Sequence, residues 1–194
     1  MRNVLKALGC ALALTLVMSA TASAQSATAN KAQVFGELGY GIWMGEDTDD
    51  DFNPYGIGLN LGGGYTLDMG VYIGARLDYY LGDSEEAGGV EASTNIYQFG
   101  IEAGYDVAAG SDLVVRPQVG LGMATYAFES SGGGFDFDVS EGGISIAPGV
   151  AAIMDMGGFH LRGDLRYSIL SVDVGDESFD ASGLLLGVGA GASF

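Results

Sequence analysis

From about residue 33 onward the hydrophobicity of this chain repeats every second residue, and no stretch there is apolar for long enough to be a membrane-crossing helix. In "YGIGLNLGGGYTL" (55–67) the odd positions read Tyr, Ile, Leu, Leu, Gly, Tyr, Leu, while the even ones read Gly, Gly, Asn, Gly, Gly, Thr. Successive strand side chains point to opposite faces, so one face is apolar and the other small or polar. The same pattern runs through 71–81, 95–107 and 159–169, and less regularly through 33–44, 113–127, 143–155 and 182–194. These are eight candidate strands, each near the nine to eleven residues, or slightly more, that a tilted membrane strand needs. Pro117 and Pro148 fall inside two of them and predict bulges or lost ladder donors there.

The connectors alternate in character. Residues 68–70, 108–112 and 155–158 are short and turn-like, whereas 45–54, 82–93, 129–141 and 172–180 are longer and hold most of the 25 acids. Short alternating with long is what an antiparallel barrel produces when one end is tight and the other elaborated. A soluble barrel or sandwich also uses short alternating strands, but it buries its apolar face. Here the apolar face is the continuous one, and the charged face carries too much glycine to build a large apolar core. The fold class is therefore all-β, an eight-stranded antiparallel transmembrane barrel with short periplasmic turns, longer acidic extracellular loops and both termini periplasmic.

The first 24 residues join a basic start (Arg2, Lys6), an apolar run and Ala22-Ser23-Ala24, the three parts of a cleaved secretory signal. The expected domains are thus a signal peptide over 1–24 and a barrel over 25–194. Cleavage removes the only cysteine and leaves five Lys/Arg against 25 acids, a net −20 where the whole chain has −18. No disulfide remains to help stability, and so acidic a surface disfavours nucleic acid.

With the strands running alternately up and down, the apolar-face aromatics fall at two levels. Tyr55, Tyr79, Tyr97 and Tyr167 lie near the long loops, and Tyr65, Tyr105, Phe159 and Phe194 near the short turns. Rings at both water interfaces fix the depth of a membrane barrel. The inner face holds Arg76, Arg116, Arg162 and Arg166 together with Glu37, Asp78, Glu102 and Asp164. Isolated charges in a narrow lumen would be costly, so these eight are expected to pair into a network that plugs the barrel. The competing reading is a selectivity ring in an open pore.

Strand number, loop alternation and the last strand, "GLLLGVGAGASF", resemble the small eight-stranded outer-membrane barrels of Gram-negative bacteria, the OmpA/OmpX-like family. The resemblance implies outer-membrane localisation, contact with lipid and lipopolysaccharide, and recognition by the barrel assembly machinery through Leu184, Leu186, Val188 and the terminal Phe194. Ala190 and Ala192 are smaller than that pattern usually has. A monomer is expected, with a non-enzymatic envelope role; a narrow passive channel and an adhesin or surface-recognition protein are the alternatives.

The residues show no cofactor motif and no metal-ligand spacing. Asp47, Asp49 and Asp51 have the spacing of a calcium loop's first ligands, but Phe52 stands where its glycine belongs and Gly58 where its glutamate belongs. Diffuse divalent cations bridging the acidic loops to lipopolysaccharide are the expected form of any metal contact. His160, the only histidine, has Ser168 too far along the same strand to act with it, so a structural place near the periplasmic mouth is expected.

Overall fold

The computed structural model describes residues 31–45, 53–87, 90–132, 135–174 and 177–194. The signal segment 1–24 and the Asp47, Asp49, Asp51 series lie outside them. Ten strands follow one another: β1 (Lys31–Trp43), β2 (Gly56–Thr66), β3 (Val71–Ala87), β4 (Val90–Tyr105), β5 (Val107–Ala108), β6 (Leu113–Gly132), β7 (Phe135–Asp155), β8 (Phe159–Val174), β9 (Glu177–Asp180) and β10 (Gly183–Ser193). Eight long ones pair antiparallel around a ring, which β10 closes by pairing with both β1 and β8. The fold class read from the alternation is the one observed.

Two interruptions of the ladder sit at Pro117 and Pro148, and the β3–β4 register also shifts between Leu81 and Ser84. β4 pairs with β6 down to Gly104↔Gln118, and β5 resumes the same register at Val107↔Val115, so the break lies opposite Arg116 and Pro117. Between β7 and β8 the register runs Ile146↔Ile169, then Gly149↔Arg166, and the skipped positions include Pro148. Each proline lacks the N–H that its neighbour would have accepted. β4 and β5 are in effect one strand split by the missing donor.

The faces are those of a membrane barrel. Leu38, Ile101 and Val188 are 71%, 65% and 73% exposed, whereas Glu37, Arg116 and Arg162 are 2%, 0% and 2% exposed. No soluble fold gains from that distribution, because apolar burial is what drives folding in water.

The acidic segments differ from the loops read in the sequence. Residues 82–87, 90–93, 129–132 and 135–141 extend the ladders of β3–β4 and β6–β7, with pairing as far as Ala87↔Val90 and Gly132↔Phe135. Apolar and polar residues keep alternating along the sequence there, Phe137 and Val139 with Asp138 and Ser140, and the backbone goes on pairing toward the hairpin ends. Residues 171–174 leave β7 and pair with β9 instead.

Candidate functional site

The candidate site is the lumen, and β8 shows its layers in order. From the short-turn end upward its inward residues are His160, Arg162, Asp164, Arg166, Ser168, Leu170 and Val172, all buried. Period two carries them along one face, and their chemistry passes from polar through charged to apolar.

The charged layer is braced across the lumen. Arg76 on β3 donates to Asp78 on its own strand (2.7 Å), to Glu37 on β1 (2.7 Å) and to Asp164 on β8 (2.5 Å). Arg166 returns the connection with two bonds to Asp78, at 3.0 and 3.2 Å. Arg162 donates to Glu37 (2.9 Å) and Asp164 (3.3 Å), lies 3.7 Å from Glu102, and stacks 4.1 Å from the centre of the Phe35 ring. The Asn60 amide, with its nitrogen toward the acid, donates to Asp78 at 3.1 Å and accepts from Arg76 at 3.2 Å. Three guanidiniums thus face four carboxylates in a space from which water is largely excluded. Each fork reaches more than one acid, and such pairing offsets desolvation.

Glycine makes room for these forks. A Cβ on Gly62 would lie 2.4 Å from the Phe35 ring, the surface on which Arg162 and Arg76 rest. Substitution there would push the ring into the charged layer.

Seven of the eight sequence-selected charges meet in this layer. Arg116 does not; it forms a separate group nearer the short turns, donating to both oxygens of Asp106 (2.5 and 3.0 Å) and to Gln33 (3.1 Å). Its guanidinium lies 3.6 Å from the centre of the Tyr72 ring. Asp106 shares the even, inward parity of Glu102 and could have been read from the same alternation. His160 sits beside this group with Nδ1 3.0 Å from the Ser193 hydroxyl, a partner on β10 that only strand pairing reveals. Ser168 instead accepts from Gln98 (3.2 Å) and meets Ser145 (3.1 Å).

Toward the long hairpins the lumen turns apolar, contrary to a reading of the whole inner face as polar. Tyr55, Tyr80, Ile96 and Leu185 form one buried cluster and Ala124, Leu170, Val172 and Ala181 another, with Trp43, Tyr126 and Phe179 packed against them. Tyr55 is the correction to the aromatic girdle: it is fully buried, and its hydroxyl donates to the Ala181 carbonyl at 2.7 Å. Gly56 follows it with φ of +54°, and that left-handed residue reverses the parity that the alternation had assigned. Trp43 Nε1 donates to the Asp180 carbonyl at 2.9 Å, so two aromatic side chains hold residues 180–181 in the mouth.

The other girdle residues face outward. Tyr65, Tyr105, Phe159 and Phe194 are exposed near the short turns; toward the hairpins Tyr97 is exposed, while Tyr79 and Tyr167 are half-buried. Tyr79 stacks on Tyr97 with centroids 4.7 Å apart. Leu184, Leu186, Val188 and Phe194 share this outer face, and Phe194 exchanges backbone bonds with Ala32 (2.8 and 3.0 Å). A void of about 30 Å³ against the charged layer is lined by Arg76, Asp78, Glu102 and Arg166 among others, room for a water or two and not for a solute.

A closed ring of antiparallel strands with an apolar outside and a charged, filled inside defines a small transmembrane β-barrel. The chain belongs to the outer membrane protein beta-barrel domain family, which it matches over residues 10–191. It is thereby a multi-pass protein of the Gram-negative outer membrane. Solved structures share its fold at low identity. Ail, the attachment invasion locus protein of Yersinia pestis, is 14% identical with a TM-score of 0.59, covering 85% of this chain and 99% of that one. A major outer membrane protein from Thermus thermophilus is 16% identical with a TM-score of 0.59, covering 84% and 99%. OprG from Pseudomonas aeruginosa is 12% identical with a TM-score of 0.53, covering 88% and 98%. A search of curated proteins found no match.

Proposed function

We propose that this chain is a non-enzymatic envelope protein whose barrel is a closed, charge-braced scaffold and whose acidic hairpins face the outside. The observation that carries this reading is the filled lumen. An arginine–carboxylate layer spans it, an apolar layer caps it, and the void beside the charges holds about 30 Å³. Eight strands leave an interior just wide enough for side chains. The reading includes export by a cleaved signal over residues 1–24, barrel assembly directed by Leu184, Leu186, Val188 and Phe194, and a monomeric barrel in lipid and lipopolysaccharide. Divalent cations that meet the acidic hairpins do so diffusely.

The test is current across a planar bilayer holding the refolded protein. The expected record is silent. Reproducible conductance steps that change when Arg76 and Glu102 are neutralised would make the interior charges the lining of a pore and replace the scaffold with a channel.

A further inference from the structure

Among the described residues the charged layer has one acid over. Arg76, Arg162 and Arg166 place all of their hydrogen bonds to acids on Glu37, Asp78 and Asp164. Three positive charges thus meet three negative ones. Glu102, the fourth carboxylate, is 3% exposed, and its buried Oε1 has no hydrogen-bond partner. A guanidinium nitrogen of Arg162 stands 3.7 Å from it, too far to donate. Nearer the short turns Arg116 and Asp106 cancel each other. With His160 neutral, the lumen therefore holds an excess of one negative charge. A carboxylate kept out of water without a counter-charge is costly.

The void of about 30 Å³ adjoins that acid, together with Asp78, Gln98 and Ser145. Gln98 gives its amide nitrogen to Ser168 at 3.2 Å, so its carbonyl oxygen is what it can offer the void, and Ser145 adds a hydroxyl. The space exists because the residue directly across from Glu102 on β6 is Gly120. A Cβ at Gly120 would meet nothing nearer than the Ala147 methyl at 3.6 Å, an ordinary contact. At Gly100 and Gly122 it would press on backbone at 2.5 and 2.1 Å. Those two glycines are demanded by the wall, whereas Gly120 leaves open a space that packing would let a methyl group fill.

We propose that this void is a site for one dehydrated monovalent cation of sodium size, held by the Glu102 carboxylate with the oxygens of Gln98 and Ser145. A single positive charge balances the lumen, and oxygen ligands suit a hard cation. A divalent ion would overshoot the balance, and magnesium sheds its hydration shell reluctantly in a space that holds a water or two. A water alone fits but leaves the charge uncompensated. The inference rests on the closed lumen proposed above and gives it an occupant.

The test is the urea midpoint of the refolded protein in nonionic detergent, with sodium chloride exchanged for choline chloride at constant ionic strength, since choline is too large for the void. Each tenfold rise in sodium above the dissociation constant should raise the midpoint by about 0.7 M. Glu102→Gln removes the charge and Gly120→Ala fills the space. Each should abolish the rise while the circular dichroism of the barrel stays unchanged. A rise that survives both substitutions would belong to the acidic hairpins and would overturn the proposal. A midpoint indifferent to sodium would overturn it too. If that midpoint then climbs as pH falls from 8 to 6, and does not in Glu102→Gln, the counter-charge is a proton; if it does neither, the void holds water. Silent bilayers together with that indifference would remove the cation alone, whereas conductance steps would remove the closed scaffold on which it rests.

Discussion

Removing the Arg76 guanidinium tests whether the charged layer holds the barrel together. Its three nitrogens engage Asp78, Glu37 and Asp164, which belong to three different strands, and its side chain is 4% exposed. Arg76→Met keeps most of the volume but leaves two arginines facing four carboxylates. Truncating one partner of a buried ion pair costs about 3–5 kcal/mol, because the acids left behind stay out of water. With a urea slope of about 2 kcal/mol per molar, the unfolding midpoint in detergent micelles should fall by roughly 2 M. Arg76→Met combined with Glu37→Gln restores the original excess of one acid and should recover part of that loss, since a neutralised pair costs less than a broken one. Intrinsic fluorescence of Trp43 against urea reads both variants. A single variant that unfolds with the midpoint of the unmodified protein would refute the reasoning, and the layer would then fill space without bracing it.

Two further outcomes follow from other parts of the lumen and wall. Tyr55→Phe deletes the bond to the Ala181 carbonyl; it should cost about 1 kcal/mol and speed hydrogen exchange at the Ala181 amide, which donates to Leu170, while the charged layer keeps its protection. Deleting Phe194 should lower the amount of barrel assembled in cells several-fold yet leave refolding into detergent nearly unchanged; equal loss in both would make Phe194 a fold residue only, and no loss in either would remove its part in assembly.

Most of the wall was legible because its physics is local. Alternation along one strand is enough to place Leu59, Leu61 and Tyr65 outside and Arg162, Asp164 and Arg166 inside. What stayed hidden depends on events between strands or at single backbone angles. Tyr55 obeys the alternation on paper and violates it in space because Gly56 adopts a left-handed conformation. Arg116 has the same parity as Arg76, yet which acid each one meets depends on its height in the barrel, and height follows from register. The acidic hairpins looked like loops because acid content is a cue to solvent. Their two-residue period was present in "FDFDVS" and continued the ladder.

The bonds between Ala32 and Phe194 have one more consequence. They belong to the β1–β10 ladder, which joins the two most distant strands in the sequence, whereas most of the other ladders join strands next to each other in the chain. The ring is therefore completed by its least local contact, and such contacts are slow to form because the loop they close is long. A chain that has paired everything else still exposes two bare strand edges along all of β1 and β10. Until that last encounter its polar backbone needs shelter from lipid, so the step at which this protein is most vulnerable is the joining of its two ends.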